Sequence, residues 1–287
     1  MNRTFSFLLA LVMFFGETSA QDTPLDELTI LSWNVYMLPG IANLSKQISK
    51  NHKKLRAGEI AEYLNTSDIQ IVVFQEAFFK PSRRILSKQL KAQFPHQYGP
   101  ANPSKLSLKT SSGIFVVSKI PLKVLGTSQY EACNGADCFA KKGAILLEGT
   151  FQDKYFQVLG THLNAGGPQW IRQEQYKQIR NLLDDFTKLN VPQIICGDMN
   201  TSKESKENYI EMLEMMDVVD PPTTSAQKFT TAKNSSVIDY VFLKTNRSSI
   251  RMNSKEVLWI NPNKLAVIEK LKGNLSDHLA VKAKFSW

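Results

Sequence analysis

Gln193-Ile194-Ile195-Cys196-Gly197-Asp198-Met199-Asn200 sets an apolar run against an abrupt polar end. Residues 193–196 are of strand length and uncharged, so they read as a buried β-strand, with a carboxylate and an amide where that strand emerges. The same arrangement recurs outward along the chain. Residues 28–32 lead into Trp33-Asn34-Val35-Tyr36, residues 69–74 into Gln75-Glu76, and residues 155–159 into Gly160-Thr161-His162-Leu163. Nearer the C-terminus stand Ile238-Asp239-Tyr240 and Ser276-Asp277-His278. If these ends converge, they gather Glu76, Asp198, Asp239 and Asp277, the amides of Asn34 and Asn200, and His162 and His278. Such a set offers hard oxygen ligands for a divalent cation and two bases that titrate near neutrality. Metal-assisted hydrolysis of a phosphate ester requires both.

Each residue has a competing structural reading. Glu76 closes Ile71-Val72-Val73-Phe74, a run so apolar that a carboxylate there is costly without a partner such as a cation; in isolation it reads equally as a strand-end residue facing water. Asp198 and Asn200 lie at i and i+2, so on an extended segment both side chains project to one face, whereas an ordinary Asp/Asn turn is the alternative. Of the four histidines, His162 and His278 sit at strand boundaries beside small polar residues, and His52 and His96 read as surface positions. No serine or cysteine is paired with a base in these motifs, so a covalent intermediate is not expected.

Between the motifs, amphipathic helices are predicted over 45–64, 81–94 and 205–216. Another carries Ile179, Leu182, Leu183 and Phe186 at i, i+3, i+4 and i+7. Strands are predicted over 69–78, 114–117, 124–126, 144–150, 155–162, 193–196, 237–243 and 279–285. Helices intersperse the strands, but the middle strands follow one another directly. An α/β layered sandwich of two facing mixed sheets flanked by helices fits this better than a doubly wound parallel sheet. The 287 residues show neither a repeat nor a Pro/Ser-rich linker, which argues for one domain over 21–287. Ahead of it, residues 1–20 carry Arg3, an apolar run over 5–15 and Thr18-Ser19-Ala20, the pattern of a secretory signal peptide, so the mature chain is expected outside the cell or in a periplasm.

Arg3 and Glu17 cancel, so the mature chain keeps the formal charge of +9. That favours anionic surfaces, although dispersed lysines that keep the protein soluble explain it as well. Three cysteines invite one disulfide and one leftover thiol. Cys133 and Cys138, five apart in a Gly/Asn/Asp loop, can bridge sterically, and Cys196 reads as a buried thiol. A zinc site is disfavoured, because no Cys-x-x-Cys spacing exists.

The order and wording of the motifs resemble the endonuclease/exonuclease/phosphatase superfamily, carried by Gly197-Asp198-Met199-Asn200 and Ser276-Asp277-His278. Asn34-Val35-Tyr36-Met37-Leu38, Arg56-Ala57, Gly160-Thr161-His162-Leu163 and Cys133-Asn134-Gly135-Ala136-Asp137 leading to Lys142-Gly143 are similar to its secreted neutral sphingomyelinase branch. The likeness runs over about 28–285. It implies the deoxyribonuclease-I-like fold and hydrolysis of sphingomyelin, or a related choline phospholipid, to ceramide and phosphocholine.

By that resemblance, Glu76 and Asn34 hold Mg2+, Asp277 adds a carboxylate, and Mn2+ or Co2+ could substitute. His278 is then the general base oriented by Asp239, His162 lies across the phosphate, and Asp198 with Asn200 orients water and a phosphate oxygen. Lys142 adds positive charge beside the phosphate or is simply a solvated loop residue. Phospholipid at a membrane surface is the implied partner, nucleic acid belongs to the alternative of a secreted nuclease, and no protein partner is evident. A catalytically dead binding protein is the third reading. Family members with a long aromatic hairpin use it for membrane contact; the corresponding stretch here, 254–274, is short and offers Trp259 and Ile260, with Trp170 as a further candidate. Asn200-Thr201-Ser202 fits the N-glycosylation pattern inside the site, which would be self-defeating if modified.

Overall fold

Every residue of Leu28–Asn34 (β1) and Ile71–Gln75 (β2) is buried. A strand covered on both faces has no polar side to show, which is why these segments read as continuous apolar runs. The two pair in parallel, from Ile30 opposite Ile71 to Asn34 opposite Gln75. The computed structural model describes residues 27–39, 49–103, 109–245, 249–264 and 271–287. The expected signal segment 1–20 and the expected helix start at Ser45 lie outside the described residues.

Around the β1–β2 pair, a sheet forms in the order Arg251–Leu258 (β11), Ala280–Ser286 (β12), β1, β2, Phe115–Ser118 (β4) and His96–Tyr98 (β3). The second sheet runs Leu122–Gln129 (β5), Gly143–Phe151 (β6), Lys154–His162 (β7), Gln193–Asp198 (β8), Asp239–Lys244 (β10) and Val218–Val219 (β9). It also has a parallel pair at its centre, with Val158 opposite Ile194 and His162 opposite Asp198.

Strand periodicity then assigns the core. Ile30, Ile71, Val73 and Val116 of the first sheet meet Ile145, Val158, Ile194 and Val241 of the second in the layer between the sheets. The alternate residues Leu31, Trp33, Val72 and Phe74 point outward and are covered by Lys50–Asn65 (α1) and Lys80–Leu90 (α2). On the far side, Leu146, Leu159, Ile195 and Phe242 are covered by Gln169–Asp185 (α3) and Lys206–Met216 (α4). The outcome is the predicted sandwich of two facing mixed sheets flanked by helices.

The segments without an apolar signal are those the sequence reading missed or shortened. β5 is exposed along much of its length, and β11 alternates exposed with covered positions, as edge strands do. Within β11, Lys255 is buried and pairs with Asp220, which Lys203 also reaches at 2.6 Å. Burial alone would raise the Asp220 carboxyl, but the two lysines outweigh it and hold it below the usual range. His52 is half-buried rather than a plain surface residue; it lies in the first turn of α1, where its amide donates to Ser49 Oγ at 3.1 Å. Cys133 and Cys138 are bridged, with S–S 2.03 Å, and Cys196 is a free thiol buried in the layer between the sheets. Among the described residues, no helix is long and apolar enough to cross a membrane.

The closest approach of the sheets tests this packing. A Cβ at Gly160 would lie 2.7 Å from Val73 Cγ1 and 3.3 Å from Ile114 Cγ2. Gly160→Val should therefore wedge β7 from β2 and lower stability by about 1–3 kcal/mol, read as a depressed thermal midpoint. An unchanged midpoint would mean that the sheets are not in contact there.

Candidate active site

The two parallel pairs end at the same rim of the sandwich. Asn34 and Asp198 each close a central strand, His162 lies opposite Asp198 on β7, and Asp239 begins β10 opposite Asp198 from the other side. Glu76 follows β2, and His278 sits two residues ahead of β12. A charged group is tolerated where a strand leaves the core and not inside it, so the buried runs dictate that the polar residues collect here.

Asp198 stands at the centre. Its Oδ2 accepts from Asn34 Nδ2 at 2.9 Å and lies 3.6 Å from His162 Nε2 and 3.8 Å from His278 Nδ1. Its Oδ1 accepts from the Asn200 amide at 3.0 Å. The extended geometry expected for Asp198 and Asn200 is absent. β8 ends at Asp198, and Asn200 has φ 47°, so it is a turn that brings the pair together, and Asn200 Nδ2 donates to Leu163 O at 3.0 Å. Gly197 matters through close approach: a Cβ there would lie 2.4 Å from Thr161 O, between β7 and β8.

His278 and Asp239 form the tightest polar pair, with Nδ1 at 2.8 Å and 3.1 Å from the two carboxylate oxygens. Its backbone is clamped as well, because His278 O accepts from Trp33 Nε1 at 3.2 Å and Asn274 Nδ2 at 2.8 Å. Burial by itself would lower the His278 imidazole, but Asp239 and Asp198 facing it hold it well above its ordinary value. For Asp239, burial dominates and raises the carboxyl, with Asp198 adding to the rise. Thr230, which nothing in the sequence pattern marks, receives the Asp239 amide at 3.1 Å.

His162 is also buried, but burial and the neighbouring Lys142 drive its imidazole well below the ordinary value, so it is neutral. Lys142 Nζ lies 3.1 Å from His162 Nε2 and donates to Leu163 O at 2.7 Å. Lys142 is held in turn by Asp137, at 2.9 Å. It is therefore a buried member of the site and not a solvated loop residue.

Glu76 is the strained carboxylate of the site, with one oxygen unpartnered. Its backbone is left-handed, φ 54°, a conformation that costs a non-glycine residue about 1–3 kcal/mol and collects at functional sites. Its Oε2 is buried without a hydrogen-bond partner, and burial and the charge of Asp277 push the carboxyl up to about 7. Asn34 lies between Glu76 and Asp198 and bonds to both. Asp277 completes the acidic rim, its Oδ1 3.5 Å from Ser276 Oγ. Beneath them, buried Arg56 of α1 donates to Val35 O, Tyr36 O and Leu275 O at 2.9, 2.6 and 2.7 Å, tying the β1 end to the Ser276-Asp277-His278 segment. Burial lowers Arg56 to about 10, which leaves it charged at neutral pH.

Glu76, Asp198, Asp239 and Asp277 crowd this rim, and the repulsion between Glu76 and Asp277 is what a cation would relieve. Glu76, Asn34 and Asp277 supply hard oxygens and thus fit a divalent cation. Asp198, Asp239 and His278 also lie close enough together to share an ion. Two of these three already satisfy each other, whereas the orphaned oxygen belongs to Glu76, so we favour the Glu76 side.

Two layers of this kind, with the site at one rim, define the deoxyribonuclease-I-like fold. The chain belongs to the endonuclease/exonuclease/phosphatase family, whose pattern matches residues 31–278. It is 30% identical over 241 residues to sphingomyelinase C 2 of Leptospira interrogans, covering 75% of this chain and 37% of that protein. It is 28% identical over 272 residues to a sphingomyelinase C of Bacillus cereus, covering 83% of this chain and 78% of that one. Among solved structures, a variant of beta toxin from Staphylococcus aureus with bound magnesium ions superposes with TM-score 0.75 at 22% identity, covering 91% of this chain and 100% of the other. The chain thus spans little more than a third of the Leptospira relative's length.

If Glu76 is destabilised without its cation, Glu76→Gln in EDTA should melt at or above the parent's midpoint, because the substitution removes the repulsion from Asp277. Added Mg2+ should raise the parent's midpoint and leave that of Glu76→Gln nearly unmoved. Equal Mg2+ shifts in both proteins would exclude Glu76 as a ligand.

Proposed function

We propose that this chain is a secreted, magnesium-dependent phosphodiesterase that hydrolyses sphingomyelin, or a related choline phospholipid, to ceramide and phosphocholine. The His278–Asp239 pair is the observation that carries the reaction type: a general base needs one nitrogen anchored and the other available. With Nδ1 held by Asp239, Nε2 of the neutral form of His278 receives the proton of the attacking water, and because Asp239 and Asp198 hold the ring above its ordinary value, that form gains as pH rises. Asp239 keeps the ring oriented and stabilises the charge that appears on it.

On the opposite flank, neutral His162 and cationic Lys142 provide donors for the negative charge that grows on the phosphoryl oxygens. Asp198 and Asn200 orient the water and one phosphate oxygen. Glu76, Asn34 and Asp277 would hold the cation, which when bound would polarise a phosphoryl oxygen as a Lewis acid. The water attacks phosphorus in line as the P–O bond to ceramide breaks; the ceramide alkoxide takes its proton from solvent, and the proton held by His278 returns to solvent, so the pair is restored. The names of the curated relatives support choline phospholipid over nucleic acid. The Cys133–Cys138 bridge supports an oxidising compartment, in keeping with export.

A substrate panel with Mg2+ as the only added cofactor checks the assignment. Phosphocholine release from sphingomyelin without nicking of plasmid DNA is expected. Nicking without phosphocholine release would instead favour the nuclease reading. Within the same assay, His278→Gln should lower turnover by about 100- to 10,000-fold while folding is retained. A folded variant with at least half the parent's turnover would remove His278 from the role of base.

A further inference from the structure

The described part of the 254–274 stretch offers little apolar surface for membrane contact, which leaves Trp170 of the residues the sequence proposed. Residues 251–258 of the short 254–274 stretch and its flank form β11, paired along β12. Ile260 is buried in the core under α1, and Trp259 is 37% exposed with its indole nitrogen directed to Gly273 O at 3.3 Å. Large apolar side chains stand out elsewhere. Phe139 is 74% exposed and Trp170 55% exposed. They sit on two loops that are fastened together: the Asn134 amide donates to Asn164 Oδ1 at 2.9 Å, and the Ala165 amide to Asp137 Oδ2 at 2.6 Å.

We infer that Phe139 and Trp170 form a docking surface through which the protein seats on a choline-phospholipid bilayer beside its catalytic groups. The inference rests on the lipid reading above. Phe139 ends the short 3-10 turn Gly135–Phe139, closed by the disulfide, and its carbonyl accepts from the Thr110 amide at 2.8 Å. Trp170 follows Pro168 in the first turn of α3. Both rings are thus carried on fixed backbone, so little freedom is lost when they insert. A phenyl and an indole held out on rigid loops suit the boundary between headgroups and acyl chains.

Position and charge point the same way. Asp137, in the turn that bears Phe139, holds Lys142, which reaches His162, so one short chain of contacts links the exposed ring to the site. Lys141 stands two residues after Phe139, in the segment that pairs with Thr110, and Arg172 two residues after Trp170 in the first turn of α3, so each ring is carried beside a cation suited to phosphate headgroups. A protein groove that took such rings would have to desolvate those charges, whereas a lipid interface leaves them hydrated among phosphates.

The test separates docking from chemistry. Flotation with sphingomyelin–phosphatidylcholine vesicles in EDTA measures binding without turnover, and a monomeric, water-soluble phosphocholine diester with Mg2+ measures turnover without a surface. Phe139→Ala and Trp170→Ala should each weaken vesicle binding by about tenfold, and the soluble diester should be cleaved at the parent's rate. Trp259→Ala should bind as the parent does. Parental vesicle binding by the folded double variant would overturn the inference, as would its conversion from dimer to monomer with vesicle binding intact, which marks the rings as a self-association face. A parent that binds vesicles through these two residues yet cleaves neither substrate would keep the docking surface and defeat the lipid-hydrolase reading. A parent that cleaves the soluble diester while the variants bind vesicles normally would do the reverse.

Discussion

Burial of both faces of both sheets is the constraint on which the rest depends. β1, β2 and β8 have no exposed residue at all, so no ionisable group can stand along them without losing its hydration. Charge is admitted only where the strands end. Because β1 with β2 and β7 with β8 run parallel, their exits fall at one rim, and the antiparallel partners β10 and β12 begin there. Packing the core and assembling the site are therefore one event. The close contact of Gly160 with Val73 sets how near the two exits lie.

The rim is held together at an energetic cost. Tyr36, Glu76 and Asn200 all adopt left-handed backbone just past strand ends, and Glu76 keeps a buried oxygen without a partner. Arg56 partly offsets this by bonding three carbonyls from two segments. Asp198 bridges the two halves, since it contacts Asn34 of the first sheet and His162 of the second. The environment then separates the two histidines: His278 faces two carboxylates and is strongly basic, while His162 beside Lys142 is neutral. Identical side chains thus acquire opposite readiness to hold a proton.

Legibility in the sequence followed hydrophobic contrast. The segments that precede Asn34, Glu76, His162 and Asp198 could be read because each is a charge-free run with an abrupt polar end. β5 and β11 could not be read to their full length, because edge strands carry lysines and glutamates and lack such contrast. Lys142 and Asp137 stand in a loop that looks solvated by composition, the resemblance offered Lys142 as a charge beside the phosphate, and the contact with His162 decides between the two readings. Thr230 offers no local signal of any kind.

The sequence by itself determined which residues could carry chemistry and that they lie at strand ends, because the cost of burying charge is a local matter of composition. It also determined the α/β sandwich, through the order of apolar runs and amphipathic helices. Tertiary structure alone decided which ends meet. It brought the expected partners His278 and Asp239 within hydrogen-bond distance, turned Asn200 out of the extended geometry, and made Ile260 core while Phe139 and Trp170 face water. The physical reason is that register, crossover and the depth of a side chain depend on contacts between segments far apart in the chain, and a one-dimensional pattern does not encode those distances.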